Sequence, residues 1–557
     1  MRKFLITILT MILTLLLLAG AGMGFYFYQK FSPSNERADL EKWFEVSGDE
    51  IAIIYNNERL EETKGIYKDG TVYLPQAWVS EELNERFYWD GANSQIIYAL
   101  PEEIRYFPAD EAKNGRTPDV AMWDKSVWLS ADLVLEYTNV RIERYADGET
   151  KRVFVDTIWD TADAADLKKD AKVRTRGGVK SAILVDAARG ETVEILEMLE
   201  NWARVRTESG CIGYVQSKLL INEREVQRIS SFQEPVYTSI SMEDPVVMVW
   251  HQTMTEAANQ TMEELMAGTD GVNVIAPTWF MLTANDGSYD SLADSAYVEK
   301  AHELGIQVWA VVDNFNRGDA VQSDILFADT QARQKLITDL IAEVREYGID
   351  GINLDIEGIP RAAGEHYVQF IRELSVDCRK NGIVLSVNTY VPSAYTAFYN
   401  RAEQGRVADY VVIMGYDEHY AGGEAGSVAS LGYERQGIED TLKEVPADKV
   451  ISAIPFYTRV WNVSSDGTTS TAMGISAAKS WVEEHGMELY WQEELGQYYG
   501  ELATTDGTYY LWMEEERSIA AKMELIEQYG LAGVSCWKLG FEPPEIWEIV
   551  RLEGSSR

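Results

Sequence analysis

The chain opens with an unbroken apolar run. No charged residue occurs from Phe4 to Tyr28, and Leu15-Leu16-Leu17-Leu18 lies near its centre. A run of that length predicts one helix able to cross a bilayer. Arg2 and Lys3 precede it, so the positive-inside rule keeps residues 1–30 as a short cytoplasmic start plus an anchor and sends everything after Gln29 outside. The alternative is a cleaved signal peptide, because Ala19-Gly20-Ala21 mimics a small-residue cleavage site, but the apolar run continues past it through Phe25-Tyr26-Phe27-Tyr28. Either reading places the rest of the chain outside the cytoplasm.

After the anchor the period changes twice. Residues 44 to about 160 alternate short apolar runs with turn dipeptides, as in Gly65-Ile66-Tyr67-Lys68-Asp69-Gly70-Thr71-Val72-Tyr73-Leu74-Pro75 and Phe87-Tyr88-Trp89-Asp90-Gly91; Asp-Gly between such arms predicts hairpins. Residues 168–222 read as a second small β unit, five-stranded, and the polar stretch Asn222 to Pro245 reads as a linker. From Val246 onward strand and helix patterns alternate. Eight apolar runs predict strands: Val246 to Trp250, Val272 to Ala276, Gln307 to Val312, Gly351 to Ile356, Val384 to Asn388, Tyr410 to Gly415, Val450 to Ile454 and Gly533 to Trp537. Between them lie helical faces such as Leu336, Ile337, Leu340, Ile341 and Val344. The fold class is therefore α/β: a (β/α)8 barrel over residues 240–557, preceded by two small mainly-β domains and a transmembrane helix. The seventh connection is much longer than the others and predicts a small α+β insertion at about 456–528, which includes the turn Thr505-Asp506-Gly507-Thr508.

Charge narrows the possible partners. Fifty Lys+Arg against 90 Asp+Glu give a formal net charge of -40, which repels phosphate backbones and argues against nucleic acid. Three cysteines, Cys211, Cys378 and Cys536, lie far apart and read as separate buried thiols rather than a disulfide framework. Five histidines form no H-E-x-x-H, and the chain has neither a phosphate-binding G-x-x-x-x-G-K-[ST] nor a G-x-S-x-G. No His/Cys cluster stands ready for zinc, so no metal or other cofactor is implied.

Candidate chemistry concentrates on the fourth predicted barrel strand, Asp350-Gly351-Ile352-Asn353-Leu354-Asp355-Ile356-Glu357. Side chains alternate along a strand, so Asn353, Asp355 and Glu357 share the face toward the barrel mouth while Ile352, Leu354 and Ile356 face the helices. A bare D-x-E carries little in so acidic a chain, as Asp39-Leu40-Glu41 shows. Position decides, because barrel enzymes keep their catalytic groups at the carboxyl ends of the strands. Residues two apart on a strand are about 7 Å apart at Cα, close enough for a carboxylate at 355 to raise the pKa of Glu357. Asp350, of opposite parity, reads as structural.

Three resemblances follow from these pieces. The fourth strand resembles the D-G-x-D-x-D-x-E of glycoside hydrolase family 18, the chitinase-like enzymes. Met414-Gly415-Tyr416-Asp417 resembles the family's M-x-Y-D, and Trp537 stands where the family places a tryptophan under the reacting sugar. Ala276-Pro277-Thr278-Trp279-Phe280 and Ile454-Pro455-Phe456-Tyr457-Thr458-Arg459 are most similar to its spore-germination and cortex-lytic branch. The resemblance implies that Glu357 is the general acid, that Asp355 orients the substrate's 2-acetamido group, and that Tyr416 bonds the acetamido oxygen, which attacks the anomeric carbon. It also implies a substrate-binding set of Trp537, Asn353, Met414, Asp417, Tyr390, Trp279 and Arg459. Asn353 departs from the pattern, standing where most members have an aspartate that shares a proton with the middle one; this implies activity with an altered pH profile. Core packing is the alternative for the aromatic residues at strand ends, Trp250, Trp279, Tyr390 and Trp461.

Residues 44–160 resemble the N-terminal module of copper amine oxidases through Val72-Tyr73-Leu74-Pro75 and Tyr88-Trp89-Asp90-Gly91, without implying copper, since the first histidine is His251. Residues 168–222 are similar to the bacterial SH3 domain through Val173-Arg174-Thr175-Arg176, Gly190-Glu191-Thr192-Val193, Trp202-Ala203-Arg204-Val205 and Gly213-Tyr214-Val215. Together these imply a membrane-anchored, extracytoplasmic glycosidase acting on an N-acetylglucosamine polymer, peptidoglycan first and chitin second. A non-catalytic carbohydrate-binding wall protein is the alternative. The sequence leaves the oligomeric state open.

Overall fold

The computed structural model describes residues 2–111, 117–146, 150–315 and 320–552. Two compact units emerge: Met1–Ile97 with Tyr106–Glu234, and Tyr98–Arg105 with Pro235–Arg557.

The first unit begins with the helix Arg2–Phe31, whose stretch Lys3–Phe31 is long and apolar enough to cross a membrane. Two seven-stranded sheets follow, one from strands between Glu50 and Asp156 and one from strands between Ala162 and Val226. Asp69-Gly70 forms the tight hairpin its composition predicts: Lys68 pairs with Thr71, and both turn residues have positive φ, at 51° and 84°. The second sheet has two strands more than the sequence pattern supplies. Ala162–Leu167 lies before the expected start at 168, and Leu220–Val226 runs into the expected linker. The first is alanine-rich, and the second exposes every residue after Leu220, so neither carries a hydrophobic alternation. The two sheets also join as one unit instead of standing as separate domains. Arg206 of the second sheet bonds Asp156 at 2.8 Å, Glu143 at 2.6 Å and Asn57 at 3.0 Å in the first. Its guanidinium lies 3.9 Å from the centre of the Phe154 ring, and both Arg206 and Asp156 are buried.

The second unit is a closed barrel of eight parallel strands: Val246–His251, Val274–Pro277, Gln307–Asp313, Gly351–Asp355, Val384–Tyr390, Tyr410–Met414, Val450–Pro455 and Gly533–Trp537. The first strand pairs with both the second and the eighth, which closes the ring. Parity sorts the side chains as the apolar runs require. Met248, Trp250, Trp309, Val311, Val412 and Ala453 fill the interior, while Val249, Ile352, Leu354, Ile413, Val534 and Cys536 pack outward with the helices. On the helix Thr330–Tyr347, Leu336, Ile337, Leu340 and Val344 are buried; Asp329 caps its start and Gly348, at φ 73°, its end. Gly351 opens the fourth strand where a Cβ would lie 2.7 Å from Trp309, so only glycine passes that interior indole. Asp350, just before it, accepts from the Val308 N–H at 2.8 Å and pairs with His302 at 2.8 Å, a structural contact on the outer side. All three cysteines are free and buried.

The insertion in the seventh connection is a five-stranded sheet with one helix, spanning Tyr457–Met513. It ends earlier than the expected 528, because the helix Glu516–Tyr529 belongs to the barrel: its Ile519, Met523 and Ile526 lie in the main core.

Candidate active site

The carboxyl end of the fourth strand holds the two carboxylates. Asp355 ends the strand and is buried; Glu357, two residues on, is half-buried. Asn314, after the third strand, fixes the main chain of Glu357 from both sides: its amide N–H donates to the Glu357 carbonyl at 2.8 Å, and its oxygen accepts from the Glu357 N–H at 3.0 Å. The next residue, Gly358, turns with φ 63° and donates its N–H to the Tyr390 hydroxyl at 3.0 Å. The same hydroxyl lies near enough to the Glu357 carboxylate to oppose the rise of its pKa. Two neighbouring strands thus fix the main chain around Glu357.

Beneath it runs a chain of amides. The Asn388 N–H groups donate to Asp355 Oδ1 at 2.9 Å and to Asn353 Oδ1 at 3.0 Å. Asn353 Nδ2 donates to Asn388 at 2.8 Å and to Ser386 Oγ at 2.8 Å, and Asn353 Oδ1 also accepts from the Trp250 indole at 3.1 Å. Ser386, Asn388 and Tyr390 alternate along the fifth strand in step with residues 353, 355 and 357 on the fourth, the arrangement a parallel register produces.

Burial is the largest influence on both acids, and it favours the neutral form. It pushes the Asp355 carboxyl well above the usual carboxylate range; the charge of Glu357 adds to this, Asn388 opposes it, and Asp313 adds further. Glu357 is also raised, first by burial, with Tyr390 opposing and Asp417 adding. The pair therefore holds on to a proton that ordinary carboxyl groups have lost. The phenol of Tyr416, beyond the end of the sixth strand, has its pKa raised by burial and then by the charge of Asp355, with Tyr457, Glu357 and Asp417 adding. Asp355, Glu357 and Tyr416 are thus near neighbours in one low-dielectric mouth.

The remaining candidates divide. Asp417, with φ 57°, accepts from the Tyr457 hydroxyl at 2.6 Å, and the Tyr457 ring lies edge-on to Tyr416 at 6.2 Å. Arg459, two residues along the same insertion strand, donates to Ser470 Oγ at 3.2 Å, and its charge acts on Tyr457. Trp537 is half-buried against Trp250 at 5.9 Å, and the Trp537–Lys538 peptide is cis. Met414 is buried at the end of the sixth strand.

Two expected sugar contacts are corrected. Trp279 is wholly enclosed, donating to Asn259 at 2.9 Å and packing on Tyr297 at 4.9 Å; it is a core residue. Asn353 is likewise fully buried, and all its hydrogen bonds run to protein groups, so it supports the floor of the site and does not face the groove. Trp250 and Trp461 are also core residues. Asn314 and Asn388 escaped the sequence reading, although the alternation Ser386, Asn388, Tyr390 inside an apolar strand was a usable sign. Among the described residues no group of three or more His, Cys, Asp or Glu side chains is placed to hold a metal.

Residues 295–542 match the family described as Glycosyl hydrolases family 18. The chain is 29% identical over 291 residues to the "Uncharacterized glycosylase YvbX" of Bacillus subtilis (strain 168), covering 50% of this chain and 84% of that one. It is 29% identical over 233 residues to the "Cortical fragment-lytic enzyme" of the same organism, covering 40% of this chain and 54% of that one. Among solved structures, a chitinase from Chromobacterium violaceum ATCC 12472 superposes with a TM-score of 0.50 at 22% identity, over 55% of this chain and 98% of that one; it shares the barrel fold.

Proposed function

We propose that this chain, which carries a family 18 glycosyl hydrolase domain, cleaves β-1,4 linkages that follow an N-acetylated amino sugar, with peptidoglycan as its main substrate. Glu357 protonates the glycosidic oxygen. The substrate's own acetamido oxygen attacks the anomeric carbon, and the carbon–oxygen bond to the leaving sugar breaks. The resulting oxazolinium intermediate is opened by water, which Glu357 deprotonates, so the configuration is retained. Asp355 orients the acetamido N–H and balances the positive charge, Tyr416 holds the acetamido oxygen, and Trp537 supplies a face for the sugar ring. Asp417, Tyr390 and Arg459 line the approach.

The observation that carries this reading is the placing of Glu357, Asp355 and Tyr416 at one barrel mouth, close enough for the charge of both acids to act on the phenol, with the main chain of Glu357 fixed by Asn314. The raised pKa of the pair supports a proton donor that is still loaded near neutrality. Preference for the cell wall rests on similarity to a cortical fragment-lytic enzyme and on the apolar helix Lys3–Phe31, which we read as an anchor holding the barrel outside the cytoplasm. The β-rich unit would then be a spacer or wall contact. The test is digestion of purified peptidoglycan and of chito-oligosaccharides by the full chain in detergent, with Glu357→Gln as control. Release of reducing ends from peptidoglycan, lost in the variant, supports the proposal. Release from chito-oligosaccharides alone would reassign the substrate, and release from neither would remove the enzyme.

A further inference from the structure

The proton carried by the two acids is constrained from below by groups that cannot titrate. The Trp250 indole is a donor only, and it points at Asn353 Oδ1 at 3.1 Å. That contact fixes which end of the Asn353 amide is oxygen. Asn353 Nδ2 must then face Ser386 Oγ and Asn388 Oδ1, both at 2.8 Å. With its oxygen committed to Asn353, Asn388 can turn only N–H groups toward Asn353 Oδ1, at 3.0 Å, and toward Asp355 Oδ1, at 2.9 Å. The polarity of the whole chain is set at the indole, with two amides between it and the carboxylate it serves. Reversing either amide would place donor against donor or oxygen against oxygen in a site closed to water, since Trp250, Asn353 and Asn388 are all buried.

We infer that Asn388 is a positioning residue which, clasped to Asn353, presents a permanent donor to Asp355 Oδ1 and so confines any proton on Asp355 to Oδ2. Among the described residues no donor is bonded to that second oxygen. This inference rests on the hydrolase reading and deepens it. A proton held at Oδ2 can be exchanged with Glu357 or turned toward a substrate, but it has no route inward, because residue 353 is an amide and cannot accept it. The titratable groups that act on Asp355 or feel its charge are Glu357 just beyond its own strand, Asp313 from the third strand, Tyr416 from beyond the sixth, and Tyr367 and Tyr399 from the surrounding helical segments. None of them bonds Oδ1. Asn388 is thus the one neighbour whose removal withdraws a donor from the carboxylate without removing a charge.

Loss of that donor disfavours the ionised carboxylate, so the titration of the pair moves to higher pH. The expected result for Asn388→Ala is a pH profile of kcat/KM displaced upward by about one pH unit, with kcat falling about 10²-fold as Asp355 loses its orientation. Asn388→Asp keeps the shape but exchanges the donor for a second acid, and it is expected to move the profile the same way. Ser386→Ala removes an acceptor from Asn353 while leaving the Asn388–Asp355 bond, and its profile is expected to overlay the wild type. Isothermal titration calorimetry of chito-oligosaccharide binding, measured across pH in the full chain, reads the same titration without turnover. An inactive wild type would therefore sink the hydrolase reading while the binding profile still judged this one. Unmoved profiles in both Asn388 variants, or an equal displacement in Ser386→Ala, would overturn it.

Discussion

Replacing Asp355 by asparagine should make the barrel more stable while abolishing hydrolysis. Asp355 and Glu357 lie together at the barrel mouth, and burial raises both, with the charge of Glu357 adding to the rise at Asp355 and that of Asp417 adding at Glu357. The sign follows from linkage. A carboxyl whose folded pKa lies above its unfolded value gives full stability below the unfolded pKa, near 4, and loses it as pH rises through the folded pKa. Each pH unit over which the folded pair keeps a proton that the unfolded chain has released costs about 1.4 kcal/mol. Three such units between about pH 4 and pH 7 set a ceiling of roughly 4 kcal/mol, and water at the half-open Glu357 together with local relaxation reduces this to about 2 kcal/mol. The amide introduced by Asp355→Asn would keep the bond from Asn388, so little is lost in exchange. For a barrel of this size, about 2 kcal/mol corresponds to a rise in Tm of roughly 3 °C. Differential scanning fluorimetry of wild type and Asp355→Asn at about pH 5 and about pH 8 reads the effect, which should be small at the lower pH and several degrees at the higher. An equal gain at both, or a loss at the higher pH, would refute the reasoning, because the pair would then not be titrating under strain.

Two further outcomes follow. Arg206→Ala leaves the buried Asp156 with Arg141 as its remaining cation, at 2.8 Å, so the β-rich unit should lose about 1.5–3 kcal/mol in chemical denaturation, whereas a combined replacement of Arg206 and Asp156 by apolar residues should cost less; equal costs would show that the clasp carries no desolvated charge. Tyr390→Phe removes the hydroxyl that favours ionised Glu357, so the pH limb that reports loss of the acid's proton should move upward by about one pH unit, and a downward move would contradict that role.

Where packing alone shapes the chain, its pattern was readable. The eight apolar runs and their parity located the strands to within a residue or two, because a strand buried on both faces leaves a short run bounded by polar turns. Asp355 and Glu357 were legible for the same reason: two acids at a strand's end have no packing explanation. Trp279 was not, since an aromatic residue after a strand can face either solvent or the helices, and here the hairpin Phe280–Leu282 with Tyr289–Ser291 follows directly and the side chain packs into the core. The edge strand Leu220–Val226 looked like a linker because only Leu220 is buried, while ladder bonds and the polar contacts of Asn222 and Arg224 with Asp166 hold the rest in place. The amide clasp was hidden by its own chemistry, as Asn353 and Asn388 are 35 residues apart and neither carries a charge.

The most direct test of the central claim concerns the substrate's acetamido group. Matched glycan polymers, one fully N-acetylated, one de-N-acetylated and one re-acetylated chemically, can be digested by the full chain and the new reducing ends counted. The account predicts rapid cleavage of the first, none of the second and recovery with the third. Equal cleavage of the de-N-acetylated polymer would contradict it, since an enzyme that needs no acetamido oxygen must take its nucleophile from elsewhere.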